Sequence, residues 1–424
     1  MTLLERASDS GGQCTQLRPS SRIRSTAGLL GPAFVASVAY LDPGNFATDF
    51  AGGAEHGYQL VWVVVAANLM AFLVQYLSSK AGLATGHSLP ELCRQRFGRR
   101  ACLLLWAQAE AVAMATDLAE FVGAAVGLRL IFGVPLLPAG LITAVAAFAI
   151  LGLDRRGHRR YELAIAGLLI LVGSGFGYLL LVTGGQDYQR LAGGLVPNLA
   201  GHSSLVLSVA ILGATIMPHV VYLHSALLSE RAPSTGGQDR RSLLSFNRWD
   251  CVLGFGFSGL VNLTMLCLAA ALFQLPGRAA LTDLVSIHQQ LSVLVGGGAA
   301  LAFGIALMAS GLSSSSVGTQ AGQLVMTGFT GWRVPLPVRR AVTMVPSLIV
   351  LACTDNTGQA LVYSQIALSF GIPFALLPLL LVTRDRPLMA DLTNRWLTST
   401  LMLLVTTVVS GLNCYLIWTA LGAG

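Results

Sequence analysis

The chain has 424 residues, of which 54% are hydrophobic and only 11% carry a charge. An ordinary soluble domain has about 25% charged residues, so a water-exposed fold of this size is excluded. Uncharged runs as long as residues 191–229 and 284–332 separate the charges, and about 20 apolar residues cross a bilayer as a helix. The sequence therefore predicts a multi-pass α-helical membrane protein.

The net charge of +7 does not indicate a nucleic-acid partner, because the arginines lie between apolar runs rather than on one face. The seven cysteines form no CxxC pair and lie mostly within apolar runs or loops. They are typical of small hydrophobic residues rather than of a disulfide or zinc framework. No feature of the sequence indicates an obligate protein partner.

The distribution of positive charge predicts how the chain is oriented. The first 25 residues are polar, contain four arginines and lack the apolar segment of a signal peptide, so we expect residues 1–25 to form a cytoplasmic tail. If eleven spans follow, every Lys and Arg except Arg129, Arg190 and Arg278 lies on the cytoplasmic side. This asymmetry predicts a cytoplasmic N-terminus and an external C-terminus, in the plasma membrane.

The first predicted span, residues 25–54, is interrupted in its middle by Asp42-Pro43-Gly44-Asn45. Proline removes a backbone donor and glycine adds conformational freedom, so the helix should unwind here. The freed carbonyl groups must then face protein or a water-filled cavity. A carboxylate at this depth is costly unless it pairs or binds a ligand. A surface loop between two short helices is the alternative, but neither flank is long enough to span alone.

The third predicted span carries three acidic residues, Glu110, Asp117 and Glu120, within about 80° on one face of a helix. Ionisable residues on one stripe of a membrane helix usually mark a proton or ion path. The alternative is a set of buried salt bridges with Arg339 and Arg340, from which a relay can also be built. Those arginines precede an apolar run that is short for a span, so they must enter the protein interior or snorkel.

The sixth predicted span, in the long run 191–229, has a second interruption at Met217-Pro218-His219. A lone membrane methionine is usually a packing residue, but this one adjoins a helix-breaking proline. His219 either faces the same site or only caps or bonds a neighbouring helix. Interrupted helices at corresponding positions of two halves are the best sequence sign of a central binding site in an inverted-repeat transporter.

This correspondence predicts the domain organisation. We expect a first inverted repeat at residues 26–190 with spans 1–5, a second at 191–385 with spans 6–10, and an additional eleventh span in 386–424. The run 284–332 is long enough for two spans, but its second half is small and polar. We therefore expect one span there, with a small-residue cytoplasmic end.

The groups at the two interruptions indicate the chemistry of the ligand. A carboxylate, an amide oxygen, freed backbone carbonyls and a thioether sulfur would converge between the two broken helices. Oxygen ligands alone would suit Mg²⁺ or Ca²⁺, whereas the soft thioether favours transition metals such as Mn²⁺, Fe²⁺ or Co²⁺. The residues therefore indicate a transported transition-metal ion.

The two interruptions also resemble the signature motifs of a known family. Asp42-Pro-Gly-Asn45 and Ala214-Thr-Ile-Met217-Pro-His219 are similar to the paired motifs of the Nramp family of divalent-metal transporters. The family has a LeuT-type fold. The resemblance therefore implies an all-α membrane protein of about 11 transmembrane helices, built as a 5+5 inverted repeat with discontinuous helices 1 and 6.

The resemblance extends over nearly the whole chain, from about residue 29 to residue 421. Residues 313–328 are similar to the family's cytoplasmic stretch after span eight. Leu312 departs from the pattern, because the family has a glutamine there. Met217 distinguishes this chain from the magnesium-transporting branch of the family, which lacks the methionine.

Residue roles follow from the resemblance by position. It implies that the metal is held by the side chains of Asp42, Asn45 and Met217 and by the backbone carbonyl of Ala214, with Gln365 approaching the ion in some conformations. It implies a proton pathway through Asp42, His219, Glu110, Asp117, Glu120, Arg339 and Arg340. Pro43, Gly44 and Pro218 would be the hinges at the two helix breaks.

The sequence as a whole therefore predicts a transporter and not an enzyme. We expect proton-coupled import of Mn²⁺, with Fe²⁺ as a second cargo, by alternating access. No resident cofactor is expected, since the metal ion and the protons are cargo and the lipid bilayer is the remaining partner. The alternative is a sodium-coupled amino-acid or amine symporter of the same architecture, which Asp42 disfavours because it would repel a substrate carboxylate.

Overall fold

The computed structural model of the protein describes residues 31–155, 158–232, 237–274, 283–353 and 356–420. The predicted tail at 1–25 lies outside these ranges. Across the described residues the regular structure is helical. The helices of the first half are α1 (Pro32–Val38), α2 (Pro43–His56), α3 (Val61–Thr85), α4 (Leu89–Arg96), α5 (Arg99–Phe132), α6 (Leu136–Arg155), α7 (His158–Thr183) and α8 (Tyr188–Gly193).

The second half continues with nine further helices. They are α9 (His202–Thr215), α10 (Pro218–Ser229), α11 (Gly237–Phe273), α12 (Leu284–Leu294), α13 (Gly297–Thr330), α14 (Leu336–Cys353), α15 (Thr357–Thr383), α16 (Arg386–Met389) and α17 (Trp396–Ala420). Short 3₁₀ turns at Ala39–Leu41 and Gly57–Leu60 flank α2.

Nine helical segments within the described ranges are long and apolar enough to cross a membrane, and two shorter apolar helices are Pro32–Leu41 and Leu136–Gly152. The segment Pro43–Thr85 holds two of the membrane helices, because the chain turns at Gly57, where φ is +61°. The first membrane helix thus consists of α1 and α2, and the sixth of α9 and α10. Counted in this way the described residues form eleven membrane helices, as predicted.

Both interrupting prolines begin a new helix rather than merely ending an old one. Pro43 is the first residue of α2, and the carboxylate of Asp42 caps that helix by accepting the N–H of Asn45 at 2.9 Å. Pro218 is likewise the first residue of α10, directly after Met217. Proline suits the first helical position because its missing N–H would have no partner there and its φ is already helical.

The eighth and ninth membrane helices settle two questions that length alone left open. The run 284–332 contains one continuous membrane helix, α13, as predicted, with the short α12 before it. The ninth membrane helix, α14, is only 18 residues long and carries Arg339 and Arg340 in its first turns. Their exposed fractions are 5% and 1%, so both arginines enter the protein interior instead of snorkelling to the interface.

The centre of the molecule is occupied by the broken helices. The most apolar stretch of the sixth membrane helix is 94% buried, against 33% for that of α17 at the periphery. The long helices α5 and α13 pack along each other beside the breaks. Gly123 of α5 lies directly against Pro43, where an added Cβ would come within 2.0 Å of the proline Cβ. A larger residue at 123 would therefore push α5 away from the first break.

Candidate functional site

Carbonyl groups at and just before the first break accept hydrogen bonds from other helices. The donors are side chains of α11 and α13. The bonds run from Ser258 Oγ to Ser37 O (2.9 Å), from Asn262 Nδ2 to Tyr40 O (3.2 Å) and from Ser310 Oγ to Leu41 O. The unwound backbone is thus satisfied by protein, as a break inside a membrane requires.

Asn45 joins the first break to the second. Its Nδ2 donates to Asp42 Oδ1 at 2.7 Å and to the backbone oxygen of Ala214 at 3.1 Å. Ala214 lies in the last turn of α9, and two non-helical residues, Ile216 and Met217, separate α9 from α10. The side chains of Asp42, Asn45 and Met217 are all fully buried. The structure therefore brings together the two motifs that the sequence places 169 residues apart.

Gln365 of α15 completes this cluster. A Cβ placed on Gly44 would lie 2.0 Å from Gln365 Nε2 and 2.8 Å from Asp42 Oδ2, so the amide rests against the first break. Gln365 Nε2 donates to Ser364 Oγ at 3.1 Å. Gln365 Oε1 and Asp42 Oδ2 are buried without hydrogen-bond partners among the described residues. Two unused oxygen acceptors therefore lie next to the broken helix.

The cluster is poor in the side chains that usually hold a metal ion permanently. No group of three or more His, Cys, Asp or Glu side chains that could hold a metal occurs in the part of the chain that the structure describes. One carboxylate, two amides and a backbone carbonyl lie together here, and with the thioether of the adjoining Met217 they would form a weaker and mixed donor set. Such a set suits an ion that must leave again, and its sulfur favours transition metals over Mg²⁺ and Ca²⁺.

The acidic stripe of α5 divides into paired and unpaired carboxylates. Glu110 Oε1 lies 2.7 Å from the guanidinium of Arg339, and Asp117 Oδ1 lies 3.3 Å from that of Arg340. Glu120 is fully buried, and neither of its carboxylate oxygens has a hydrogen-bond partner among the described residues. The salt-bridge alternative therefore describes two of the three acids but not the third.

The two histidines of α10 contact different neighbours. His219 Nδ1 lies 3.5 Å from Thr116 Oγ1 on α5, while its Nε2 is buried without a partner among the described residues. His224 Nδ1 lies 3.1 Å from Gln75 Oε1, and Gln75 in turn donates to the Tyr40 hydroxyl at 2.7 Å. His219 thus faces the acidic helix, and His224 faces a separate polar chain beside the first break.

Sequence reasoning missed several polar residues around the breaks. Asn262 Nδ2 donates to the backbone oxygen of Tyr40 and to Asn45 Oδ1, the latter at 3.4 Å. Gln75 Oε1 forms a hydrogen bond with His224. Both are lone polar residues within apolar runs, which is the signal that could have found them. Asp49, seven residues after Asp42, is fully buried with both carboxylate oxygens unpartnered among the described residues. Its spacing places it on the same helix face as Asp42.

The described residues form eleven membrane helices, of which the first and sixth are broken and contact each other at their breaks. This is the architecture of a secondary transporter with discontinuous helices. The sequence matches the family model described as Nramp, natural resistance-associated macrophage protein-like, over residues 33–419. The chain belongs to the Nramp family.

Relatives and solved structures agree with this assignment. The chain is 44% identical over 414 residues to the divalent metal cation transporter MntH of Deinococcus radiodurans, covering 96% of this chain and 95% of the relative. It is 46% identical over 399 residues to the divalent metal cation transporter MntH of Aeromonas hydrophila, and the match covers 94% of this chain and 97% of the relative. The crystal structure of the Eremococcus coleocola manganese transporter, in complex with an aromatic bis-isothiourea substituted compound, superposes with a TM-score of 0.83 at 30% identity, over 93% of this chain and 87% of that one.

A more distant likeness concerns the fold alone. MhsT, solved in complex with L-phenylalanine, has a TM-score of 0.59 at 14% identity, with 93% of this chain and 99% of that chain covered. Together the comparisons confirm the LeuT-type all-α fold with discontinuous helices 1 and 6. They also confirm the prediction of a membrane transporter and not an enzyme, because the matched relatives are named as transporters.

Proposed function

We propose that the protein imports divalent transition-metal ions, Mn²⁺ foremost and Fe²⁺ as a second cargo, across the plasma membrane together with protons. Family membership and the names of the relatives support transport of a divalent metal. The observation that carries the proposal is the contact between the two breaks, where Asn45 links Asp42 to Ala214 beside unused acceptor oxygens.

The ion would bind between the two breaks. Asp42 would contribute its free Oδ2, Ala214 its carbonyl and Met217 its sulfur, with Gln365 Oε1 close by. Asn45 presents its nitrogen to Asp42 and Ala214 in the present hydrogen-bond network. A cation requires the amide oxygen instead, so we propose that this amide turns over when the ion enters.

Proton coupling follows because the metal ion and the proton would both bind the carboxylate of Asp42. A metal ion binds a deprotonated carboxylate, so metal binding at Asp42 displaces any proton held there. His219, Thr116 and the unpaired Glu120 offer a buried polar route from this site along α5. The ion pairs formed by Arg339 and Arg340 would continue that route towards the cytoplasm.

Alternating access would use the four half-helices. α1 and α10 form the cytoplasmic halves of the broken helices in the proposed orientation, and α2 and α9 form the external halves. Tilting of the halves about Pro43, Gly44 and Pro218 would open one side while the other stays packed. We further propose that residues 26–190 and 191–385 are the two inverted repeats and that residues 386–424 add the last span.

The test is Mn²⁺ uptake into proteoliposomes that contain a pH-sensitive dye. We expect saturable Mn²⁺ entry with acidification of the lumen and little competition from Ca²⁺. Asp42→Ala should abolish both signals, because the ion and the proton lose their shared carboxylate. Asp187→Ala is the matched control, since it removes a half-exposed carboxylate at the external surface, far from the breaks in the fold.

Three results would contradict the proposal. Mn²⁺ entry without acidification would remove the proton coupling, and unchanged uptake by Asp42→Ala would remove the assigned site. Sodium-driven uptake of an amino acid or amine, without Mn²⁺ flux, would establish the alternative symporter.

A further inference from the structure

A pocket of about 340 Å³ lies where α4, the N-terminus of α5 and the C-terminus of α13 meet. None of the residues proposed to hold the metal or the proton lines it, although Phe329 packs edge-on against Tyr222 of α10 at a ring-centroid distance of 5.4 Å. Its lining includes two arginines, Arg94 and Arg99, together with Phe97, Leu103, Phe329 and Trp332. The pocket thus combines cationic groups with an apolar and aromatic wall.

The positive charge in this pocket is not neutralised by the protein. Among the described residues no carboxylate forms an ion pair with Arg94 or Arg99, whereas the neighbouring Arg96 is paired with Asp385 at 2.5 Å. Arg94 uses one N–H to bond the backbone oxygen of Thr327 at 3.2 Å. Most of the N–H donors of the two guanidinium groups are therefore available to a ligand.

The helix end adds donors of the same kind. α5 begins after Gly98 with no side-chain cap and no acidic residue in its first turn. The first N–H groups of a helix carry partial positive charge and favour an anion. Together with the arginines, they define a site for a phosphate group, because guanidinium groups bind phosphate bidentately.

The apolar lining residues favour a phosphate that carries an acyl chain. Trp332 is 56% exposed and packs edge-on against Trp106 with ring centroids 5.6 Å apart. Leu103 and Leu104, one turn into α5, are exposed by 36% and 72%. Tryptophan is typical of the interface between headgroups and chains, and exposed leucines on a membrane helix contact lipid chains. These features are typical of the depth at which a phospholipid changes from polar to apolar.

We propose that this pocket binds an anionic phospholipid, with its phosphate between Arg94 and Arg99 and an acyl chain along Leu103. The lipid would hold α4, α5 and α13 together at the membrane surface, which the charge distribution assigns to the cytoplasm. Charge complementarity selects an anionic headgroup, since a zwitterionic lipid would bring its own cation close to two arginines.

Native mass spectrometry of the full chain in detergent tests this site. Phosphatidylglycerol and phosphatidylcholine with identical acyl chains are added separately, and the bound fraction is measured. We expect phosphatidylglycerol to bind, and we expect the affinity for phosphatidylcholine to be lower by at least about tenfold. The variant Arg94→Gln/Arg99→Gln should lose this preference, while Arg386→Gln/Arg395→Gln, which removes two exposed arginines outside the pocket, should keep it.

Arg99→Gln alone guards against a folding defect, because Arg94 also bonds the end of α13. It should weaken phosphatidylglycerol binding while leaving the melting temperature within a few degrees of the parent protein.

Equal binding of both lipids, or equal losses in the two double variants, would overturn the proposal in favour of diffuse charge attraction. Displacement of the lipid by millimolar glycerol 3-phosphate would overturn it in favour of a site for free phosphate. Neither outcome bears on metal transport, so this inference and the proposed function fail separately.

Discussion

Asp117 and Glu120 lie three residues apart in α5, yet their surroundings give them different roles. Asp117 pairs with Arg340, which is also held by Thr319 Oγ1 at 2.9 Å and by Ser315. Glu120 is fully buried and forms no ion pair among the described residues. A buried carboxyl without an ion-pair partner is costly, so we propose that Glu120 is present for proton or ion movement.

This difference predicts opposite effects on stability and transport. Asp117→Ala leaves the Arg340 cation without its carboxylate and should lower the free energy of unfolding by about 3 kcal/mol. Glu120→Gln keeps the shape and should change it by less than about 1 kcal/mol, while reducing metal-coupled acidification. Thermal unfolding in detergent and dye-monitored uptake measure the two effects. Equal loss of stability in both variants would show that Glu120 has a structural partner in the working protein.

Met217 is the residue on which we propose that the choice of metal depends. Its thioether is the soft donor of the proposed site and is fully buried next to the break. In Met217→Ala the ratio of Mn²⁺ to Ca²⁺ uptake should fall about tenfold, with a smaller change in Mn²⁺ affinity. Met265→Ala removes an equally buried methionine from α11 and should leave that ratio unchanged. An unaltered ratio in Met217→Ala would show that sulfur does not select the metal.

At the scale of elements, one face of α11 holds the half-helix α1 in place. Asp250, Ser258 and Asn262 are spaced by eight and four residues and so lie on one face of α11. Asp250 Oδ2 accepts the N–H of Ala33 at 2.9 Å, and the other two bond the carbonyls of Ser37 and Tyr40. This row, which we call the α1–α11 ladder, ties α1 and the 3₁₀ turn after it to α11.

The α1–α11 ladder should control how readily α1 opens. Asp250→Ala removes a hydrogen bond to a charged acceptor, of a kind that contributes about 1.5–3 kcal/mol. Hydrogen exchange measured by mass spectrometry should then become about tenfold faster in peptides covering residues 32–41, and not elsewhere in the first helix. Thr264→Ala is the control. Thr264 lies on the same helix, but its hydroxyl donates to the carbonyl of Leu260, one turn earlier in α11. Unchanged exchange in Asp250→Ala would mean that packing alone retains α1.

At the scale of the whole molecule, the proposed orientation can be tested with the native cysteines. Cys353, at the end of α14, is exposed and would face the outside, whereas Cys14 belongs to the proposed cytoplasmic tail. Cys414 is also exposed, so the test is made in a Cys414→Ser background. A membrane-impermeant maleimide should label intact cells at Cys353, and Cys353→Ser should abolish this labelling. Cys14 should react only after permeabilisation, with Cys14→Ser as its control. The reverse pattern would show that the chain is inserted with its N-terminus outside.

Much of the architecture could be predicted because a bilayer constrains sequence so strongly. The lengths of the apolar runs, the two prolines within them and the single long helix α13 all follow from chemistry that acts within one segment. The motif residues Asp42, Asn45 and Met217 were found for the same reason, since a carboxylate, an amide and a thioether beside a break are local features.

Which side chains pair with each other across the molecule could not be predicted from the sequence of any one segment. The sequence showed a stripe of three acids and a pair of arginines, but only the packing of α14 against α5 decided that Glu110 and Asp117 are paired and Glu120 is not. Likewise, nothing near Asn262 in the chain shows that its partners are Tyr40 and Asn45, more than 200 residues away.

The sequence by itself determined that the chain crosses a membrane as helices, where two of them break and which donor atoms the breaks carry. The tertiary structure decided which of those atoms are used up by neighbours and which remain free for an ion or a proton. The physical reason is that composition and periodicity act along the chain, whereas a buried polar group is satisfied or left free by whatever distant helix packs against it.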